Sequence, residues 1–347
     1  MVRKQEMQKK IIYLILLATI CFIPDLAAPQ GAGDQETSES AFQLALPEVD
    51  ITPFLPPQKA EGNAAEFYIK ALAILEQYPG KDRLLKDVTE EPNKLLHNKQ
   101  VQEMLSNICE GARIKNCDFK IAFPAPASIY YKRPDFNFFQ GMCMALRKEA
   151  NSDLDKSDYA GAIERAKIIV ALGNHLRQSA YHPIDEMADV SLEEMGIRNL
   201  QKIYQKMNDK PNADRCQQAV DKLQLVADII MKKMTAKGTG PGAPTVDTLK
   251  AMLKDKAPCM RIDALFIIGT ALDPNLEKRK EEIREKLKKQ FGAEVGEEMF
   301  KQEAYTMPYV LQLKTKKQEL RAAVASVLND PDRRVRDVAE KVAERLK

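Results

Sequence analysis

A chain of 347 residues with 44% hydrophobic and 30% charged side chains holds enough apolar material for a sizeable interior, and at about 100–200 residues per domain it has room for two. No Trp, few aromatics and an abundance of Ala, Leu, Lys and Glu favour helix over strand, so an all-α protein is expected. The formal charge is only +3, with +2 of it inside the first 28 residues, which is too balanced for the electrostatic footprint of a nucleic-acid binder.

Taken in chain order, residues 1–10 are basic and Ile11–Ile23 is a mostly apolar run of 13 residues ended by Pro24, the pattern of a secretory signal. A spanning helix needs about 20 apolar residues, so this run is short for a transmembrane segment. Residues 1–28 are therefore expected to direct export and to be removed after Leu26-Ala27-Ala28. Pro29 directly follows that site, which keeps retention as an anchor as the alternative. Ala18-Thr19-Ile20-Cys21 superficially resembles a bacterial lipobox, although Ile20 stands where a small residue is required. A periplasmic or membrane-anchored location in the cell envelope follows, with membrane contact only through this segment.

Residues 29–58 begin polar and small, and Pro47–Pro57 carries four prolines, which predicts a disordered Pro-rich tether. Helical periodicity starts after Asn63, a plausible cap, with Ala64, Phe67, Tyr68, Ala71, Leu72 and Leu75 on one face. A second helix is predicted over Pro92–Ala112. Lys115–Asp135 holds three prolines and four aromatics and reads as a long loop packed by its rings. Its residues Tyr130, Tyr131, Arg133 and Asp135 are a candidate recognition surface, because aromatics and Arg on a positioned loop suit partner binding; the alternative is that the rings pack the loop on its own domain.

Further helices are predicted at Asn137–Ala150, Ser157–Ser179, Ile184–Met207 and Asn212–Met234. The stretch from Ser157, SDYAGAIERAKIIVALGNHL, resembles a tetratricopeptide-type hairpin, with no strict 34-residue period across residues 60–234. Gly173 and Gly196 interrupt helical patterns at about 1 kcal/mol each relative to Ala, which predicts close helix crossings there. The pairing of Asn63-Ala64-Ala65 with a later Cys117-Asp118-Phe119 also resembles a group of bacterial exported helical proteins of unknown role, a resemblance that implies no catalytic residue.

Thr235–Pro244 holds three glycines and two prolines and marks a linker over residues 235–244, dividing a tetratricopeptide-like domain at 59–234 from a second helical domain at 245–347. At the end of the second, DPDRRVRDVAEKVAERL places Val335, Ala339, Val342, Ala343 and Leu346 on one helix face behind Asp330 and Asp332. This stretch resembles the second helix of a HEAT-type repeat. Seventy-five residues earlier, Met260, Arg261, Ala264, Ile267, Ile268 and Ala271 repeat its register, and a degenerate unit is expected between the copies. The predicted fold is an all-α, helical-repeat, solenoid-like array of two helical domains joined by a Gly/Pro linker.

Chemistry is sparse. His97, His175 and His182 are the only imidazoles, and no HExxH or CxxC spacing occurs, so no metal or other cofactor is expected and the histidines are placed at surface and hairpin-turn positions. Of six cysteines, Cys21 leaves with the signal; a Cys109–Cys117 disulfide is compatible with export, and scattered buried thiols are the simpler expectation. His175 with Asp185 and Glu186 completes the candidate surface and is also where an enzyme site between the two domains would lie. The leading expectation is a non-enzymatic, exported helical-repeat protein that binds a protein partner and no nucleic acid. Its alternatives are that envelope enzyme and a membrane-anchored structural component.

Overall fold

The structure is a computed structural model that describes residues 38–90, 95–119, 135–236, 244–272, 315–346, residue 313 and scattered positions between 278 and 297. The signal segment, most of the linker, much of the 115–135 loop and most of the unit expected between the two C-terminal copies fall outside them. The described residues form twelve α-helices and no strand, an all-α helical array: α1 Ser38–Gln43, α2 Ala64–Gln77, α3 Leu84–Glu90, α4 Lys99–Ala112, α5 Phe136–Asp155, α6 Tyr159–Gln178, α7 Pro183–Lys206, α8 Lys210–Ala236, α9 Val246–Leu253, α10 Pro258–Ala271, α11 Lys317–Ala325 and α12 Arg333–Leu346.

Caps set many of these boundaries. Asn63 opens α2 by accepting from the Ala65 N–H at 3.2 Å, Asn98 opens α4 through the N–H groups of Gln100 and Val101, and Asp158 opens α6 through Gly161 N–H. The second long helix thus begins at Lys99 rather than at Pro92, because Asn98 supplies the acceptor that the first turn needs. The α5–α6 and α7–α8 turns repeat one geometry. Ser157 and Asn208 take the left-handed conformation at φ 63° and 57°. After each, an Asp N–H reaches back five residues, Asp158 to Asp153 O at 2.8 Å and Asp209 to Tyr204 O at 2.9 Å, closing a Schellman motif. The same Asp then starts the next helix, Asp209 Oδ1 accepting from Asn212 N–H at 3.3 Å.

Helix α6 is buried on two sides. Ile168, Ile169, Leu172 and Leu176 join a core built on α2–α5, while Ala162, Ala166 and Val170 join another with α7 and α8. Glycines make the second contact close, as their sequence context predicts. A Cβ on Gly173 would lie 2.7 Å from the Glu193 backbone nitrogen, and one on Gly196 would lie 2.8 Å from that of Val170. The two helices therefore meet backbone to backbone at both positions.

A third core gathers α9, α10, α11 and α12, with α10 buried almost all round. The expected 75-residue register has a geometric counterpart here. Asp255 Oδ1 accepts from the N–H two residues on, and Arg261, six residues on, donates to the carbonyls of Asp255 and Lys256. Asp330 Oδ1 accepts from Asp332 N–H, and Arg336 donates to the carbonyls of Asp330 and Pro331. Arg261 Nη2 also reaches Asp330 Oδ1 at 2.9 Å, tying the first copy to the second.

The expected tether departs from its prediction after residue 40. Ala41 and Phe42 are buried, Phe42 in the C-terminal core and Ile51 and Phe54 against α6–α8. Four apolar side chains recover hydrophobic free energy on surfaces that local sequence does not reveal, and the prolines fit a chain that runs extended over helices. The described residues from Ser38 on belong to one compact unit, and Lys233 of α8 meets Asp255 at 2.6 Å with both side chains fully buried. No helix among the described residues is long and apolar enough to cross a membrane.

Candidate functional site

The α6–α7 turn is where the residues singled out for chemistry converge with the C-terminal helices. Arg177 and Ala180 leave carbonyls at the end of α6, and Arg334 of α12 donates to them at 3.2 and 2.7 Å. Its other nitrogens hold Asp332, Nη2 to Oδ2 at 2.7 Å and Nε to Oδ1 at 3.1 Å. A guanidinium thus neutralises the negative end of the α6 dipole while its charge is balanced from its own turn. Tyr181 follows into the C-terminal core, and Arg333 reaches Asp118 at 3.2 Å.

His182 caps α7, its Nδ1 accepting from Ile184 N–H at 3.2 Å. An accepting Nδ1 carries no proton, so in this arrangement Nε2 bears it, 3.6 Å from Asp263 Oδ1 of α10. One turn into α7, Glu186 is 9% exposed and hydrogen-bonds Cys259, whose thiol is pushed well up by burial and by that carboxylate. Burial raises Asp185 to about 7. It also raises Glu193, fully buried in α7, to about 7 against the opposing pull of Arg177 at 3.0 Å.

His175 is the clearest correction to the sequence expectation. It is completely buried, not at the surface, with Nδ1 2.7 Å from the Tyr68 hydroxyl. Burial lowers its pKa to about 4, so at neutral pH it is an uncharged core residue. Glu186 is likewise too buried to present a surface. Of the loop residues, Tyr130, Tyr131 and Arg133 lie outside the described residues, and Asp135 is an exposed N-cap that accepts from Phe138 N–H at 3.3 Å. The structure brings Glu186 to one junction with Cys259 and Arg334, while His175 bonds to Tyr68 in the N-terminal core.

Among the described residues no group of three or more His, Cys, Asp or Glu side chains is placed to hold a metal ion. The thiols of Cys109, Cys117, Cys143, Cys216 and Cys259 are free, so Cys109 and Cys117 are not bridged. Burial raises the thiol of Cys109 to about 11 and that of Cys216 to about 12, which keeps both protonated and unreactive.

A concave feature that the sequence expectations passed over lies between α5 and α7. It measures about 320 Å³ and is lined by Arg147 and Asn151 of α5 and by Arg198, Asn199 and Lys202 of α7 among others. The signal for it was present as two polar i,i+4 spacings, Arg147 with Asn151 and Arg198 with Lys202, the second of them basic at both positions. Comparison with protein-family models, with curated proteins and with solved structures finds no match to this chain.

Proposed function

We propose that the chain is an exported, non-enzymatic helical-repeat protein whose stacked hairpins bind a protein partner in the cell envelope. The observation that carries this reading is the duplicated Asp–Arg turn at α10 and α12, with Arg261 of one copy bonded to Asp330 of the next. Such linkage builds a solenoid by addition of like units, and solenoids offer extended surfaces for other chains. The duplicated Asp turns at α5–α6 and α7–α8 support the same principle in the larger part of the molecule. HEAT-like character for the C-terminal helices and tetratricopeptide-like character for α5–α8 belong to this proposal.

The placement of titratable groups is consistent with it. His175 bonds to Tyr68 through Nδ1, Glu193 accepts from Arg177 through Oε2, and Glu186 is buried beside Cys259. The test is to cross-link the tagged chain in intact cells, isolate it from the envelope fraction and quantify what accompanies it. One partner at a fixed ratio is expected; a chain recovered alone from every fraction overturns the proposal.

A further inference from the structure

Residues 44–57 run over the helices between two fixed points. Upstream, α1 lies against α8 and α9 and buries Phe42 in the C-terminal core. Downstream, Lys59 N–H donates to Arg113 O at 2.7 Å and Lys59 O accepts from Lys115 N–H at 2.9 Å, while Gln58 and Asn116 add side-chain bonds. Between these points one hydrogen bond among the described residues joins the segment to a helix, from Lys222 Nζ of α8 to Glu48 O at 3.4 Å. Its other bonds are local, such as Thr52 N–H to Asp50 Oδ1 at 3.0 Å.

A small set of side chains does the holding. Ile51 and Phe54 are buried in the core of α6–α8, and Leu46, Val49 and Leu55 are half-buried against it. Few buried contacts and almost no backbone bonds put a segment at the low end of local stability. Four prolines stiffen it, so that it forfeits little conformational freedom when seated, as a proline-rich peptide ligand does. Charge matches as well. Arg215 and Lys222 are exposed two turns apart on one face of α8. The pKa of the exposed Asp50 is lowered first by its bond to Thr52 and further by these two cations.

We infer that residues 44–57 are a displaceable strap on a peptide-binding face of α6–α8. The occupant that replaces the strap is an extended acidic segment of a partner polypeptide, with apolar residues at the spacing of Val49, Ile51 and Phe54. Because both ends of the strap are held elsewhere, its middle can lift without unfolding the helices. A tethered strap competes at an effective concentration of about millimolar, so the free chain is self-inhibited toward a weak ligand. This deepens the partner-binding proposal and rests on it.

The experiment uses the whole chain and a fluorescently labelled peptide with the sequence of residues 44–57. In the chain carrying Ile51→Ser and Phe54→Ser, which has lost its own anchors, the peptide should bind saturably and about tenfold or more tighter than to wild type. Lys222→Glu in that released chain should weaken binding about threefold, and a peptide carrying the same two Ser substitutions should not bind. Should the released chain fail to fold, thermolysin digestion of native wild type carries the test. Fragments beginning at Val49, Ile51 or Phe54 should then appear before any cut within α6–α8, because the strap opens locally. No saturable binding to the folded released chain below about 1 mM, equally tight binding to wild type or of the substituted peptide, or strap cleavage only together with α6–α8 would overturn the inference. A cellular partner that the strap peptide does not compete away would also overturn it while leaving partner binding intact; peptide binding without any cellular partner would do the reverse.

Discussion

Asn63 grips the backbone of Asp118 from both sides, its Nδ2 donating to the Asp118 carbonyl at 2.7 Å and its Oδ1 accepting from the Asp118 N–H at 2.8 Å. The same Oδ1 caps α2, so one side chain joins the start of a helix to a segment 55 residues on. Ala64 N–H adds a bond to Asn116 O, and Phe119 then stacks on Tyr68 at 5.9 Å. The two short motifs that stood apart in the sequence are a single contact.

Asn63→Ala should therefore lower stability by about 1–2 kcal/mol, the cap and the partly solvated Asp118 bonds together. Asn63→Asp keeps the acceptor and should lose less. Urea unfolding midpoints of the two variants check the order, and equal stability of Asn63→Ala and wild type would remove the role assigned to this residue.

Gly173→Ala and Gly196→Ala set helix propensity against packing. Propensity alone favours Ala by about 1 kcal/mol. The added methyl would lie 2.7 Å from Glu193 N in one case and 2.6 Å from Val170 Cγ2 in the other, and backbone cannot yield cheaply at the first. Overpacking of about 1–3 kcal/mol or more should win, so both variants are expected to be less stable than wild type. A gain in thermal midpoint would show that α6 and α7 separate at little expense.

The Asp–Arg copies allow an internal comparison. Arg261 and Arg336 make the same bonds to turn carbonyls, but among the described residues only Arg261 also faces a buried carboxylate, Asp330, which is 9% exposed. Arg261→Ala strands that charge and should cost about 3–5 kcal/mol, whereas Arg336→Ala should cost about 1 kcal/mol. Arg261→Met with Asp330→Asn should be milder than Arg261→Ala alone. Chemical denaturation of the three variants checks the order, and equal losses for the two single Arg variants would mean that the Arg261–Asp330 pair links nothing.

Stability should depend on pH through opposing groups. Asp185 and Glu193 have folded pKa values of about 7, above the ordinary carboxylate range, so what they contribute is fully present below about pH 4 and is lost as pH rises through 7. His175 runs the other way: its folded value of about 4 lies below the unfolded one, so its contribution is present above about 6.5 and lost as pH falls toward 4. Glu193→Gln should flatten the fall in stability between pH 5 and 7, and His175→Gln should steepen it, each by at most about 1.4 kcal/mol per pH unit. Unfolding free energies measured across that range give both slopes; parallel curves for His175→Gln and wild type would contradict the burial of His175.

How much of this was legible in the sequence depends on how local each cause is. The helical class follows from composition, Asn63 as a cap follows from its place before an apolar face, and Gly173 and Gly196 announce close crossings because glycine is otherwise disfavoured there. The apolar register linking Met260 to Val335 was visible, but the Arg261–Asp330 bond it permits was not. His175 looked like a surface residue because its partner, Tyr68, lies 107 residues away. Ile51 and Phe54 sit among prolines that locally signal an extended chain, and only the assembled α6–α8 surface gives them a place to bury. The donors of the cleft were each visible, and only the fold sets α5 beside α7.

The most direct measurement for the whole account is the mass and composition of the native species, by light scattering and mass spectrometry of the chain isolated from the envelope fraction. A complex heavier than the chain itself, containing one partner protein in fixed proportion, is the predicted result. A monomer without a partner in that fraction and in every other would contradict it.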